Sequence, residues 1–178
     1  MKRFLIASSV LAALIVGAAA LHSLTVLATT PMTEAHIERI RSSCVEAQST
    51  LSQLHATDAL LRVNRGQLYE SMSTKLMEPF DSRLALNNYN TADLVSVAST
   101  YDHQLTDFRT KYQQYEESMS DTLKINCRNQ PVAFYDSVTA TRDKRENVHQ
   151  SALLLHKLIN DYQQAVEAFA KNFKEPSR

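Results

Sequence analysis

Glycine and proline are scarce in this 178-residue chain, which has two of the first and four of the second. Gly17 lies in an N-terminal apolar run and Gly66 inside a helical pattern. Pro31, Pro79, Pro131 and Pro176 fall at element boundaries. So few turn-forming residues argue against many short strands and for a few long helices. No alternating β-branched run bounded by turns occurs either. Cysteine is limited to Cys44 and Cys127; zinc normally takes four clustered ligands, and no second pair is present. Formal net charge is zero, with 19 basic and 19 acidic residues. Lys2 and Arg3 precede every acidic residue, which leaves 17 basic against 19 acidic in the remainder. A faintly acidic body with mixed charges has no electrostatic reason to bind nucleic acid.

Catalytic signatures are missing as well. There is no nucleophile elbow, no glycine-rich phosphate loop and no His-Glu-x-x-His. Glu146 and His149 have the Glu-x-x-His spacing of di-iron bundles, but such sites need two copies and two further glutamates. His149 and His156 lie two helical turns apart, too far to share one ion. His103 and Asp107 are expected to form a local pair on a solvated face. The expectation is a protein that is not an enzyme and has no metal or cofactor. A narrow bundle is also expected to lack a concave pocket.

What is present begins with residues 1–30. Lys2 and Arg3 form a basic lead, and Phe4 through Leu21 is uncharged and mostly apolar. Two small-residue patterns follow, Ala18-Ala19-Ala20 and Val26-Leu27-Ala28, as at signal cleavage sites. The apolar run can extend over 4–27, and about 20 residues suffice to span a membrane. Cleavage and retention as a membrane anchor both stand. Either way, residues after about 30 are expected outside the cytoplasm.

Beyond that segment the hydrophobic period is helical. Core-type positions step by three and four through Ile37, Ile40, Cys44, Ala47, Leu51, Leu54, Asp58, Leu61, Arg65, Leu68 and Met72. A second run passes through Leu94, Ala98, Tyr101, Leu105, Phe108, Tyr112, Tyr115 and Met119. A third passes through Tyr135, Val138, Arg142, Arg145, Val148 or His149, Ala152, Leu155, Ile159, Tyr162, Val166, Phe169 and Phe173. Helices are expected over about 33–77, 91–126 and 131–173, with a frayed tail at 175–178. Pro79 should stop or kink the first. The polar stretch from Asn87 to Asn90 should turn the chain. Pro131 suits a first helical position.

If the first two helices fold back on each other, Cys44 and Cys127 meet only when the turn lies about midway, near Ala85. The helix-breaking stretch straddles that point. Together these patterns predict an all-α, elongated antiparallel three-helix coiled-coil-like bundle over 31–174. An oxidising compartment then favours a Cys44–Cys127 disulfide over two buried free thiols. The same alignment predicts a mid-bundle polar layer of Asp58–Arg145, Arg142–Glu116 and Arg62 or Arg65 with Asp107. Such a layer adds little net stability but fixes register. Binding of a small charged molecule is its functional alternative.

Asn64-Arg65-Gly66-Gln67-Leu68-Tyr69-Glu70, Lys75-Leu76-Met77, Arg83-Leu84-Ala85-Leu86-Asn87 and Thr91-Ala92-Asp93-Leu94-Val95 follow one another as a block along the middle of the chain. With Asn126-Cys127-Arg128-Asn129-Gln130-Pro131 and Phe134-Tyr135, it resembles small exported helical proteins of candidate-phyla-radiation bacteria, the Saccharibacteria and relatives. The resemblance covers most of the chain after the export segment. It implies a cell-envelope protein and carries over no activity. The functional expectation is a structural or interaction role toward an unknown protein partner or toward its own copies, with membrane contact through 4–27 if that segment is retained. The alternative is a sensor-like or chaperone-like bundle that holds a ligand.

Overall fold

The computed structural model describes residues 32–174. The expected export segment and the expected tail lie outside the described residues. Within them the chain is all-helical and no strand occurs. The elements are α1 (Glu34–Ser42), α2 (Cys44–Ser71), a π-helical turn (Met72–Met77), α3 (Glu78–Leu86), α4 (Ala92–Lys124) and α5 (Pro131–Lys174). No helix among the described residues is long and apolar enough to cross a membrane.

The first expected helix is not one continuous element. It starts at Thr33, whose hydroxyl oxygen accepts from the His36 N–H at 3.4 Å. It breaks at Ser43. The Ser42 hydroxyl donates to the Arg39 carbonyl at 3.0 Å and shares it with the Ser43 N–H, immediately before the tethered Cys44. At the far end Pro79 neither stops the winding nor ends the element, which continues to Leu86. Pro79 gives no backbone hydrogen bond to the turn before it, and that turn is the widened, π-helical one. Just before it the helix widens: the Glu78 N–H reaches the Ser73 carbonyl, five residues back.

The reversal after α3 is made without glycine. Asn88 takes the left-handed conformation, with φ 62°. Its N–H donates to the Ala85 carbonyl at 3.0 Å, and the Tyr89 N–H donates to the Leu84 carbonyl at 3.1 Å. This is the Schellman closure, and asparagine is the side chain other than glycine that best tolerates it. Between α4 and α5 the Asn126 side-chain oxygen accepts from the N–H groups of Arg128 and Asn129, each at 3.1 Å. Pro131 then opens α5.

α4 and α5 pack together along much of their length, and α2 lies on α4. Cys44 and Cys127 are joined, with Cα atoms 5.5 Å apart. From that bond onward, links between α2 and α4 rise in number on one helix and fall on the other. Gln48 donates to the Ile125 carbonyl at 2.9 Å, Tyr115 to Asp58 at 2.7 Å, and Tyr101 to the Tyr69 carbonyl at 2.9 Å.

Two apolar cores result. One, at the disulfide, holds Cys44, Cys127 and Phe134, with Ile40, Leu51 and Val138 against them. The larger one holds Tyr69, Met77, Leu94, Tyr101, Leu105, Phe108, Leu155 and Tyr162. At about 25 cal/mol per Å² of apolar surface, buried tyrosines and leucines of this size carry most of the cohesion.

The α4 stripe lies where the period puts it, from Leu94 to Met119, except that Tyr112 is only half-buried. The α2 stripe does not. Leu61 and Leu68 are about half exposed and Arg65 is exposed, whereas Gly66, Tyr69, Ser73 and Met77 are buried. Both sets step by three and four from Asp58, and the one carrying the large Tyr69 ring turns inward. In α5 Tyr135 and Arg142 are exposed, and Phe134, Thr141 and Ser151 take the buried positions.

The bond closes 83 residues of sequence separation. Replacing both Cys44 and Cys127 by Ser should lower unfolding free energy by about 4–5 kcal/mol in the chain-entropy account. Denaturant titration of the oxidised wild type and the double variant checks this.

Candidate functional site

Between the two apolar cores lies a polar section, and its centre is Asp58. The Asp58 carboxylate is 8% exposed as a residue and accepts three hydrogen bonds. Arg145 of α5 donates from Nε to Oδ2 at 2.6 Å and from Nη2 to Oδ1 at 3.0 Å, and Tyr115 of α4 donates to Oδ2 at 2.7 Å. Three helices therefore meet on one side chain. Burial pushes the Asp58 acid upward. The hydrogen bonds from Arg145 and Tyr115, with the guanidinium charge, outweigh it and hold the group below the usual carboxylate value. Tyr115 is driven up by burial and by the carboxylate it serves, and Arg145 is held protonated chiefly by its hydrogen bond to Asp58.

The other residues expected in this layer are placed differently. Glu116 does not meet Arg142; its Oε1 lies 2.6 Å from His55 Nε2 of α2, while Arg142 is exposed. Asp107 meets neither Arg62 nor Arg65. It faces α5, where Ser151 donates to it at 3.3 Å, and on its own helix it accepts from Lys111 at 2.7 Å and Gln104 at 3.1 Å. Both placements follow from how the helices are rotated. The expected layer assumed that all charged residues at one level point at the same axis, whereas the Asp107 side chain turns toward the α4–α5 seam. Arg62 instead lies over the Tyr112 ring, 5.4 Å from its centroid. Burial, then Glu116, pushes that tyrosine up to about 12. Arg65 donates from Nη1 to His156 Nε2 at 3.4 Å, and the Tyr69 hydroxyl lies 3.0 Å from the same nitrogen. Arg62 and Arg65 form no ion pair among the described residues.

A hydroxyl cluster escaped the sequence reading. Thr122 and Ser118 of α4 meet Thr141 and Ser137 of α5: Ser118–Thr141 is 2.8 Å, Thr122–Ser137 2.7 Å and Thr122–Thr141 2.9 Å. Small hydroxyl residues facing one another at matched levels were the available signal.

The expected absence of a pocket is overturned. α2 and α5 stand apart over this section, and a cleft of about 560 Å³ opens between them. α4 forms its floor with Phe108, Tyr112 and Tyr115. Leu61, Arg62, Arg65 and Tyr69 line the α2 side, and Arg145, His149, Leu153 and His156 are on the α5 side. The Leu61 and Arg65 positions assigned to the core by periodicity are wall and rim of this cleft. No group of three or more metal-ligand side chains occurs among the described residues.

No protein-family model, curated protein or solved structure matches this chain.

Arg145→Glu would leave Asp58 facing a second carboxylate. Exposed pairs contribute about 0–1 kcal/mol and breaking fully buried ones costs about 3–5. Arg145 is 48% exposed on its side chain, so a loss of about 2–3 kcal/mol is expected. Asp58→Lys in the same chain should restore part of it, which urea titration of the full double-mutant cycle measures.

The depressed Asp58 acid also sets a pH signature. Its folded value lies below its unfolded one, so the stabilisation is complete well above the ordinary 3.8 and fades as pH falls through the folded value. The melting-temperature advantage of wild type over Asp58→Asn should therefore be constant near neutrality and shrink below about pH 4.

Proposed function

We propose that this chain is a non-enzymatic, exported helical protein of the cell envelope with a structural or protein-interaction role. Residues 1–30 are its export segment, cleaved or kept as an anchor over 4–27. The remainder is an elongated antiparallel three-helix bundle built on α2, α4 and α5. Support for the arrangement comes from the opposed numbering of the α2–α4 links and from the Cys44–Cys127 bond, which suits an oxidising compartment. The resemblance to exported proteins of candidate-phyla-radiation bacteria points to the same compartment.

One observation carries the interaction role. α2 leaves Val45 63%, Leu60 68%, Val63 48% and Leu68 50% exposed, apolar side chains that a partner could cover. A photo-crosslinking residue placed at Leu60 should give a discrete protein adduct in the native envelope, and one placed at Glu117 should not. Adducts from neither site, together with a monomer by light scattering, would remove the role.

A second reading is favoured by the cleft: an extracytoplasmic bundle that holds a small ligand. Its volume of about 560 Å³ falls within the range of about 300–1,000 Å³ common for small-molecule sites.

A further inference from the structure

We infer that the cleft between α2 and α5 is a binding site for an aromatic carboxylate, a flat apolar body ending in an anionic group. The inference rests on the ligand-binding reading and gives it a chemistry. Charge is the first argument. Asp58 is the cleft's buried carboxylate, and Arg145 and Tyr115 already occupy it on both oxygens. Arg62 and Arg65, one helical turn apart on the α2 wall, have no carboxylate partner among the described residues. The acid at the rim, Glu146, is exposed, and its Oε1 already accepts from Gln150 at 2.6 Å. The cleft therefore presents two guanidinium groups whose donors fit a carboxylate in fork geometry.

Shape is the second argument. The floor is made of rings: Tyr69, Phe108 and Tyr115 are buried, and Tyr112, half-buried, is the ring that reaches the open space. Tyr69 and Phe108 meet edge-on with centroids 5.4 Å apart, and Tyr112 and Tyr115 meet at 6.1 Å. Arg62 already lies over one of these rings. A flat aryl group can enter against the Arg62 guanidinium and the accessible part of Tyr112, with its carboxylate turned toward Arg65. Leu61 and Leu153, each about half exposed, would cover the apolar edge. Apolar walls and a small number of convergent polar groups are the usual make-up of such sites.

The test uses the full chain in phosphatidylcholine nanodiscs, with titration calorimetry corrected against empty nanodiscs. The probes are 2-naphthoate, 2-naphthylmethylamine, 2-naphthalenemethanol and acetate. Naphthoate should bind saturably, the amine and acetate should not, and the neutral alcohol should bind more weakly. Replacing both Arg62 and Arg65 by Met should weaken naphthoate about tenfold or more, because the carboxylate loses its charged donors. Lysine at both positions should recover part of the affinity. Circular dichroism melting verifies that each variant folds. Leu61→Glu, a rim change outside both cores, repeats the test by repulsion, and Glu146→Gln should tighten binding. Equal binding of acid, amine and alcohol, or affinity indifferent to Arg62 and Arg65, would overturn the anion assignment and leave a ligand-binding bundle. Binding of none of the probes would overturn both.

Discussion

A buried carboxylate accepts hydrogen bonds and donates none, and at Asp58 every acceptor must be answered by a neighbouring helix. Arg145 comes from α5 and Tyr115 from α4. That requirement ties α2, α4 and α5 to one level of the structure. Slipping α2 by one residue would rotate Asp58 by about a quarter turn and strand the charge. The disulfide acts at one end of the same helix pair, and together the two constraints leave α2 little freedom to slide on α4.

The seams on either side of this point differ in kind. α4 and α5 approach through small residues, with Ser118 and Thr122 bonded to Ser137 and Thr141 and with Ser151 bonded to Gln104. These hydroxyls satisfy one another and need little space. α2 reaches α5 across this section with long side chains instead: Asp58 to Arg145, and Arg65 and Tyr69 to His156. Long bridges hold two helices apart, and the cleft is the space beneath them. Gly66 belongs to this arrangement. It is buried, and the nearest atom to an added Cβ would be Nη1 of Arg62, at 3.4 Å, so the guanidinium lies back along the helix at that point.

How legible the chain was depends on where competing patterns existed. In α4 a single stripe contains almost every large apolar residue, and Leu94 through Met119 lie where their spacing puts them. In α2 two stripes leave Asp58 with equally good helical steps. One carries Leu61, Arg65 and Leu68, the other Arg62, Gly66, Tyr69 and Ser73. Side-chain size and polarity within α2 favoured the first, whereas contact with Tyr101 and Phe108 of α4 selected the second. The same happened at the start of α5, where the spacing assigned Arg142 to the core, whereas Thr141 is buried because its partners, Ser118 and Thr122, belong to another helix. Asp58–Arg145 lay close in the alignment implied by the cysteines, but the partners expected for Arg142, Glu116 and Asp107 required knowing which way each helix was rotated.

Composition and periodicity alone determined that the described residues are helical, that the chain reverses near Asn88 and Asn126, and that Cys44 comes level with Cys127. Each of these follows from local backbone preference or from the count of residues between two points. Tertiary structure alone decided which face of α2 is inside, that the polar section is a three-helix junction flanked by two cores, and that a cleft floored with rings lies beside it. Those outcomes depend on helix rotation and on spacing between helices, which are set by the partner surface and leave no mark on the step length of either sequence.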